Sequence, residues 1–468
     1  MELEIAKQLI FKYEGLHAAF VNRAIVAGRY YIGDNDILHR ESKEQRDEES
    51  PNPLRNADNR VPFNFYPLLV DQKASYLFTA PPLFDVKDDA LNQIIAEGLG
   101  DRYAKNCKDL AVNASNAGVG WVHFWANEEN KFEWGVIPSE QIYPIYSNFL
   151  NKELKAVLRS YRDVDDNGDE WVIYELWNDK ECAEYRRRGD IFEPYNVFVL
   201  DFGGQMTPTN VFAHNLGRVP FIPFANNNIE SSDLTKIKSL VDTYDKTFSG
   251  FVDDLEDIQQ VIFVLTNYGG VDLKQFLDDM KYYKTISIEA NGADDRSGVS
   301  TLSIDIPVAA REKLLELTRK AIFDMGQGVD PQQQGFDKTS GIAMEYLYSL
   351  LELKAGLMET EFRLGLAELV RAICRFHGKE VKQIVQTWTR SAIRNNSELV
   401  EMCKNSVGVV STKTILKNHP FVENADDELK ALQEEKDAAL SEYENAFVQN
   451  QNNDNVDDNG EGVNVDAE

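Results

Sequence analysis

Residues 231–268 read SSDLTKIKSLVDTYDKTFSGFVDDLEDIQQVIFVLTNY, and the fold turns on how that stretch is parsed. It keeps one helical pattern throughout. Ser231 or Ser232 can cap its start, and acidic residues in the early turns suit the positive end of the helix dipole. About 35 residues at ~1.5 Å each predict a rod of roughly 50 Å. Gly250, near its middle, is the expected point of a kink or of a close neighbour.

Working downstream, residues 271–307 form a compact insert. It has a short helix (LKQFLDDMKYY) and two strands (KTISIEA, VSTLSIDI) about the turn NGADDRSG. A second helix from Val308 to Phe323 carries Leu314, Leu315, Leu317, Ile322 and Phe323. A polar loop over 330–340 follows. The longest helix then runs from Gly341 to Phe376, with Ala343, Leu347, Leu350, Leu351, Leu357, Met358, Leu366, Leu369, Val370 and Ile373 as its apolar positions. Residues 380–448 read as a smaller unit with one strand (VKQIVQTWT) and several helices. The stretch 449–468, rich in Asn and Asp and without a basic residue, reads as disordered.

Upstream, residues 1–30 are helical by the spacing of Leu3, Ile5, Leu9, Ile10, Tyr13 and Leu16. A charged loop over 34–59 leads to a helix from Pro67 to Phe78, which Ala80-Pro81-Pro82 stops. One helix is expected over 88–117. GWVHFWANEENKFEWGVI then alternates as a hairpin, and strands at 142–146, 156–161 and 171–177 continue a β-rich stretch to about Phe224. The fold class is α+β, mostly helical.

The 468 residues are 43% hydrophobic, ample for a buried core and for two or three domains. Net charge is −29, from 78 acidic and 49 basic residues. Tight nucleic-acid binders cluster Lys and Arg against phosphate, so this balance argues against a protein that grips DNA. It allows a surface that touches DNA without holding it. The start, MELEIAKQLI, is amphipathic and acidic, unlike a signal peptide, and no apolar run reaches membrane-spanning length. The cytoplasm is the expected site of synthesis. Cys107, Cys182, Cys374 and Cys403 lie far apart with no CxxC pair and read as reduced core thiols.

No catalytic, cofactor or metal site is expected. Asp163-Val-Asp165-Asp166-Asn167-Gly168 matches the opening of a calcium-binding EF-hand loop, but Tyr174 stands where a bidentate Glu is required, so a polar hairpin turn is the better reading. The six histidines are scattered. Gly335-Phe-Asp-Lys338-Thr339-Ser-Gly341 lacks the first glycine of a phosphate-cradling loop. The acidic pairs Asp253-Asp254 and Asp278-Asp279 read as solvated helix faces rather than as a nuclease site.

An ordered series of blocks resembles the portal proteins of long-tailed bacteriophages. It comprises Asn59-Arg60-Val61, Phe65-Tyr66, Val70-Asp71-Gln72-Lys73-Ala74-Ser75-Tyr76-Leu77, Gly118 to Trp121, Ile137-Pro138, Ile142 to Tyr146 and Arg159-Ser160-Tyr161. Val219 to Phe224, Asn226-Asn227, Ser232-Asp233-Leu234, Leu240 to Asp245, Gly326 to Asp330 and Thr339 to Ala343 complete it.

The resemblance implies a ring of about twelve copies at a capsid vertex, assembled in the host cytoplasm. Residues 1–230 would be wing, 231–270 a stem helix, 271–307 the clip and 308–329 the returning stem helix. Residues 330–340 would be the channel's tunnel loop, 341–379 the long wing helix and 380–448 the crown. Implied partners are double-stranded DNA passing without sequence specificity, the terminase large subunit, capsid and scaffolding proteins, and head-completion adaptors, with no membrane. The loop residues expected at the DNA are Asp330, Gln332, Gln333, Gln334, Gly335, Asp337, Lys338, Thr339 and Ser340, with Gly335 supplying mobility. An acidic channel wall would let the duplex slide. The competing readings are a non-catalytic oligomeric scaffold or adaptor, and a metal-dependent nuclease.

Overall fold

The computed structural model describes residues 3–41, 57–150, 152–202, 205–258, 262–266, 298–302, 307–332, 341–390, 396–422 and 424–453. Two compact units emerge, one of residues 1–332 with 348–391, the other of 333–347 with 392–468.

The first unit opens with α1 (Leu3–Tyr31) and α2 (Phe65–Leu77). Strand β1 (Leu83–Asp85) precedes α3 (Asp89–Leu99) and α4 (Tyr103–Ala117). The single helix expected over 88–117 is thus two. Gly100 ends α3 at φ +69°, a conformation that a residue with a Cβ adopts only at a cost. The Asp88 side chain caps α3 by accepting from the Leu91 N–H.

The predicted hairpin is β2 (Val119–Ala126) with β3 (Phe132–Ile137), and β12 (Phe221–Ala225) pairs antiparallel with the other edge of β2. A larger antiparallel sheet holds β4 (Ile142–Tyr146), β5 (Leu154–Val164), β6 (Glu170–Trp177), β7 (Glu181–Arg188), β8 (Ile191–Pro194) and β11 (Val211–Ala213) in the order β11-β7-β6-β5-β4, with β8 also on β7. Strands β9 (Phe198–Phe202) and β10 (Gln205–Thr209) form a separate hairpin. Both β-rich expectations hold.

Helix α5 spans Leu234–Ile258, shorter than the pattern over 231–268 predicts. The run Ile262–Thr266 is instead strand β13, paired antiparallel with β14 (Gly298–Leu302). IFVLT has no polar face to show solvent, and its branched side chains suit a pleated ladder. Residues 267–297, and with them LKQFLDDMKYY, KTISIEA and Asp278-Asp279, lie outside the described residues. Helix α6 (Val308–Gly326) runs beside α5, and α7 (Gly341–Phe376) matches its predicted bounds.

The inner face of α7 (Ala355, Met358, Phe362, Leu366, Leu369) packs with α3, α4, β2 and β12 in the largest core cluster. A second cluster joins α1, α2, α5 and α6 through Tyr30, Phe65, Leu69, Ile237, Val241 and Phe323. Strand β15 (Val385–Thr387) pairs with β1, so the expected strand over 381–389 belongs to this unit. Among the described residues of the second unit are α8 (Asn396–Asn405), α9 (Thr412–Asn418) and α10 (Ala425–Asn453). Helix α10 continues past residue 449, where composition alone suggested that order ends.

Candidate functional site

The sequence directs attention to the polar segment between α6 and α7, and the structure describes its root. Gln327 leaves α6 in the left-handed region at φ 55°, and the Gly328 N–H donates back to the Phe323 carbonyl at 3.1 Å. Val329 is then clasped by Gln72 of α2. The Gln72 Oε1 accepts from the Val329 N–H at 3.0 Å, and its Nε2 donates to the Val329 carbonyl at 2.8 Å. One amide thereby satisfies both backbone groups of a buried residue, as a neighbouring strand would. Gly328 permits the approach, since a Cβ there would run into Leu69 Cδ2 and lie 2.9 Å from Gln72 Oε1.

Of the predicted loop residues, Asp330 and Gln332 are described; Gln333, Gln334, Gly335, Asp337, Lys338, Thr339 and Ser340 lie outside the described residues. Asp330 anchors the chain. Arg319 grips its carboxylate in a fork, Nε at 3.0 Å and Nη2 at 2.6 Å, and the Gln332 N–H adds a third bond at 2.9 Å. Burial alone would raise the Asp330 pKa, but Arg319 and the backbone donor outweigh it and hold the carboxyl below its ordinary value. Gln332 is exposed.

Beneath the root lies a buried ionic cluster that sequence reading missed. Lys354 of α7 donates to the Gly326 carbonyl at 2.8 Å, placing a cation at the negative end of α6, and sits 3.1 Å from Asp233. Lys73 of α2, wholly buried, reaches Asp233 and the Asn226 Oδ1, each at 2.6 Å. Asn226 donates in turn to the other Asp233 oxygen at 2.9 Å. Burial opposes the Asp233 charge, yet the ammoniums of Lys354 and Lys73 win and hold the carboxylate ionised well below its usual range. Lys73 is pulled down to about 8, chiefly by burial and further by Lys354, with Asp233 opposing. The one available signal was an acid at the start of a long helix, which reads as ordinary dipole complementation.

A second device ties α5 down. The extended segment 57–63 runs along it, and alternate backbone N–H groups meet side chains four residues apart on the helix. Ala57 donates to Asp257 at 3.0 Å, Asn59 to Asp253 at 2.6 Å, Val61 to Ser249 at 3.0 Å and Phe63 to Asp245 at 2.9 Å. The register works because two extended residues span about 6.6 Å and four helical residues about 6 Å. Asp253 and Asp254 are therefore not the solvated pair that the sequence suggested. Asp253 is 5% exposed on the strap, and Asp254 pairs with Arg311 of α6.

Among the described residues no group of His, Cys, Asp and Glu could hold a metal ion. In the EF-hand look-alike, Asp165 accepts from the Asn167 and Asp169 N–H groups and from Trp171 Nε1, as a hairpin turn requires, with Gly168 at φ +85°. The four cysteines are buried, and no described helix is long and apolar enough to cross a membrane.

What the site does offer is an anchor: side chains from α2, α6 and α7 bond the base of one loop. Residues 11–442 match the family described as phage portal protein, SPP1 Gp6-like. The chain is 38% identical over 462 residues to the portal protein of Clostridium phage phiCD119, covering 96% of this chain and 99% of that one. It is 31% identical over 421 residues to the portal protein of Bacillus phage SPP1, covering 87% and 82%. The chain belongs to the phage portal protein family, a component of the phage particle. Among solved structures, a virion of a native gene transfer agent particle aligns over 82% of this chain and 92% of its own, with 12% identity and a TM-score of 0.42.

Proposed function

We propose that this chain is one subunit of a ring, with twelve copies the expected number, through which double-stranded DNA enters and leaves the capsid. In that reading α5 and α6 form the stem and residues 271–307 the clip that meets terminase and later the adaptors. Residues 330–340 reach toward the duplex, and 380–448 form the crown. The protein itself catalyses nothing, and ATP hydrolysis belongs to the terminase. Assembly takes place in the host cytoplasm, with capsid and scaffolding proteins as partners.

The observation that carries this reading is the clamped loop root. A segment that must contact a moving duplex needs a fixed base, and Gln72, Lys354 and Arg319 supply it from three helices. Two apolar stripes support association with further copies. Leu350, Leu353, Leu357 and Leu364 recur at heptad spacing on the outer face of α7, 37% to 66% exposed, and Leu314, Leu317 and Met325 lie outward on α6. Such faces call for cover by a partner. Negative-stain electron microscopy with mass determination on the purified chain tests the proposal. Rings with an axial hole support it, whereas monomers at every salt concentration, even with scaffold co-expressed, overturn it.

A further inference from the structure

Helix α5 carries six carboxylates and three lysines, so its sequence is acidic. Its surface is not. Asp242 bonds Tyr30 and Lys238, Asp245 takes Asn35 and the Phe63 N–H, and Asp253 and Asp257 hold the strap. Asp254 pairs with Arg311, and Glu256 accepts from Asn59 at 2.8 Å. Every carboxylate of the helix is thus engaged with a donor of its own chain.

The exposed positions over 235–246 are Thr235, Lys236, Ser239, Thr243 and Lys246, while Leu255 and Glu256 are exposed nearer the end of the helix. Among the described residues neither Lys236 nor Lys246 forms an ion pair; Lys236 reaches only Gln327 Oε1, at 3.5 Å, beside the loop root. On the adjoining α6 the exposed positions include large apolar side chains, Leu314 at 46%, Leu317 at 53% and Met325 at 60%, among the charged Glu312, Lys313, Glu316, Lys320 and Asp324.

We infer that the α5 stripe is a binding surface for the phosphate backbone of double-stranded DNA. The inference rests on the conduit reading and adds a site outside the 330–340 loop. Within a ring each subunit must meet its neighbours and also present a wall to the channel. The exposed apolar side chains of α6 suit a neighbouring protein surface, where desolvation favours association. The α5 stripe offers ammoniums and small hydroxyls without a carboxylate, and a polyanion fits that chemistry. Ten residues separate Lys236 from Lys246, which sets two levels of positive charge about 15 Å apart along the helix. In a chain of net charge −29 such charges remain few, so binding is weak enough for sliding.

The test uses full-chain particles whose ring form is first verified by electron microscopy, with duplex DNA binding followed between about 50 and 200 mM salt. The Lys236→Gln/Lys246→Gln variant should bind about tenfold more weakly at the low end. Its slope of log affinity against log salt should fall by about 0.9 for each phosphate that the lysines no longer neutralise. Lys320→Gln, an exposed lysine on α6, should leave both unchanged. A double variant that forms rings and keeps wild-type affinity and slope overturns the α5 site alone. Wild-type rings that fail to bind DNA even at low salt do the same. Absence of rings from the wild-type chain overturns the conduit reading, and this inference falls with it.

Discussion

Asp233→Asn should be among the most destabilising isosteric changes in the protein. The substitution keeps volume but removes the carboxylate that lies 2.6 Å from the Lys73 ammonium and 3.1 Å from that of Lys354. Two buried cations then face each other without a counterion, a situation that costs about 3–5 kcal/mol. At about 2 cal/mol/K of unfolding entropy per residue, a unit of this size loses roughly 5 °C of melting temperature. The pH dependence gives a sharper check. Lys73 titrates near 8 in the fold and about 10.4 in the unfolded chain. Between those values the unfolded chain holds more protons, so stability from this group rises with pH. Without Asp233 nothing holds the Lys73 pKa up, and the window opens lower. Scanning calorimetry should show a larger deficit at pH 6.5 than at pH 9. Adding Lys354→Met should recover part of the loss, because one stranded charge is gone. A variant melting within about 1 °C of wild type at pH 6.5, or a deficit identical at pH 9, would refute the account of a buried two-to-one cluster.

Three further outcomes are expected. Gly328→Ala forces a Cβ against Leu69 and Gln72 and should lower stability by about 1–3 kcal/mol in urea unfolding; a neutral result would mean the root is not clamped as described. Gln72→Leu leaves the Val329 N–H and carbonyl unpaired, and hydrogen exchange at the Val329 amide should accelerate at least about tenfold, with an unchanged rate counting against the clasp. Burial raises Asp245 to about 6 against the Asn35 and Phe63 donors, so the fold binds its proton more tightly than the unfolded chain does. Stability from this group therefore falls as pH rises from about 4 to 6, and Asp245→Asn should flatten that slope. A profile of unaltered shape would show that Asp245 is not the titrating group.

Much of the architecture was legible because periodicity is a local property. The bounds of α7 and the β2–β3 hairpin follow from spacing and turn chemistry alone. Errors fell where a local signal competes with a distant partner. The helix reading of IFVLT fails because strand 298–302 offers it a ladder, and the break at Gly100 turns on one backbone angle. Of the candidate site, the loop was located through resemblance, and Gln72, Lys73 and Asp233 stood inside the quoted blocks without a role.

The sequence by itself determined the class of protein, since an ordered series of short blocks identifies a family when no single block does. It also determined the helical framework and the excess of acid. What tertiary structure decided is where that acid points. The spacing Asp245, Ser249, Asp253, Asp257 looks like any polar helix face until an extended segment two hundred residues upstream lies along it and donates every second N–H. Hydrogen bonding and burial draw those carboxylates inward, and a helix acidic in sequence presents lysines along residues 236–246. Charge count is a property of composition, whereas surface potential depends on which groups the fold leaves uncovered.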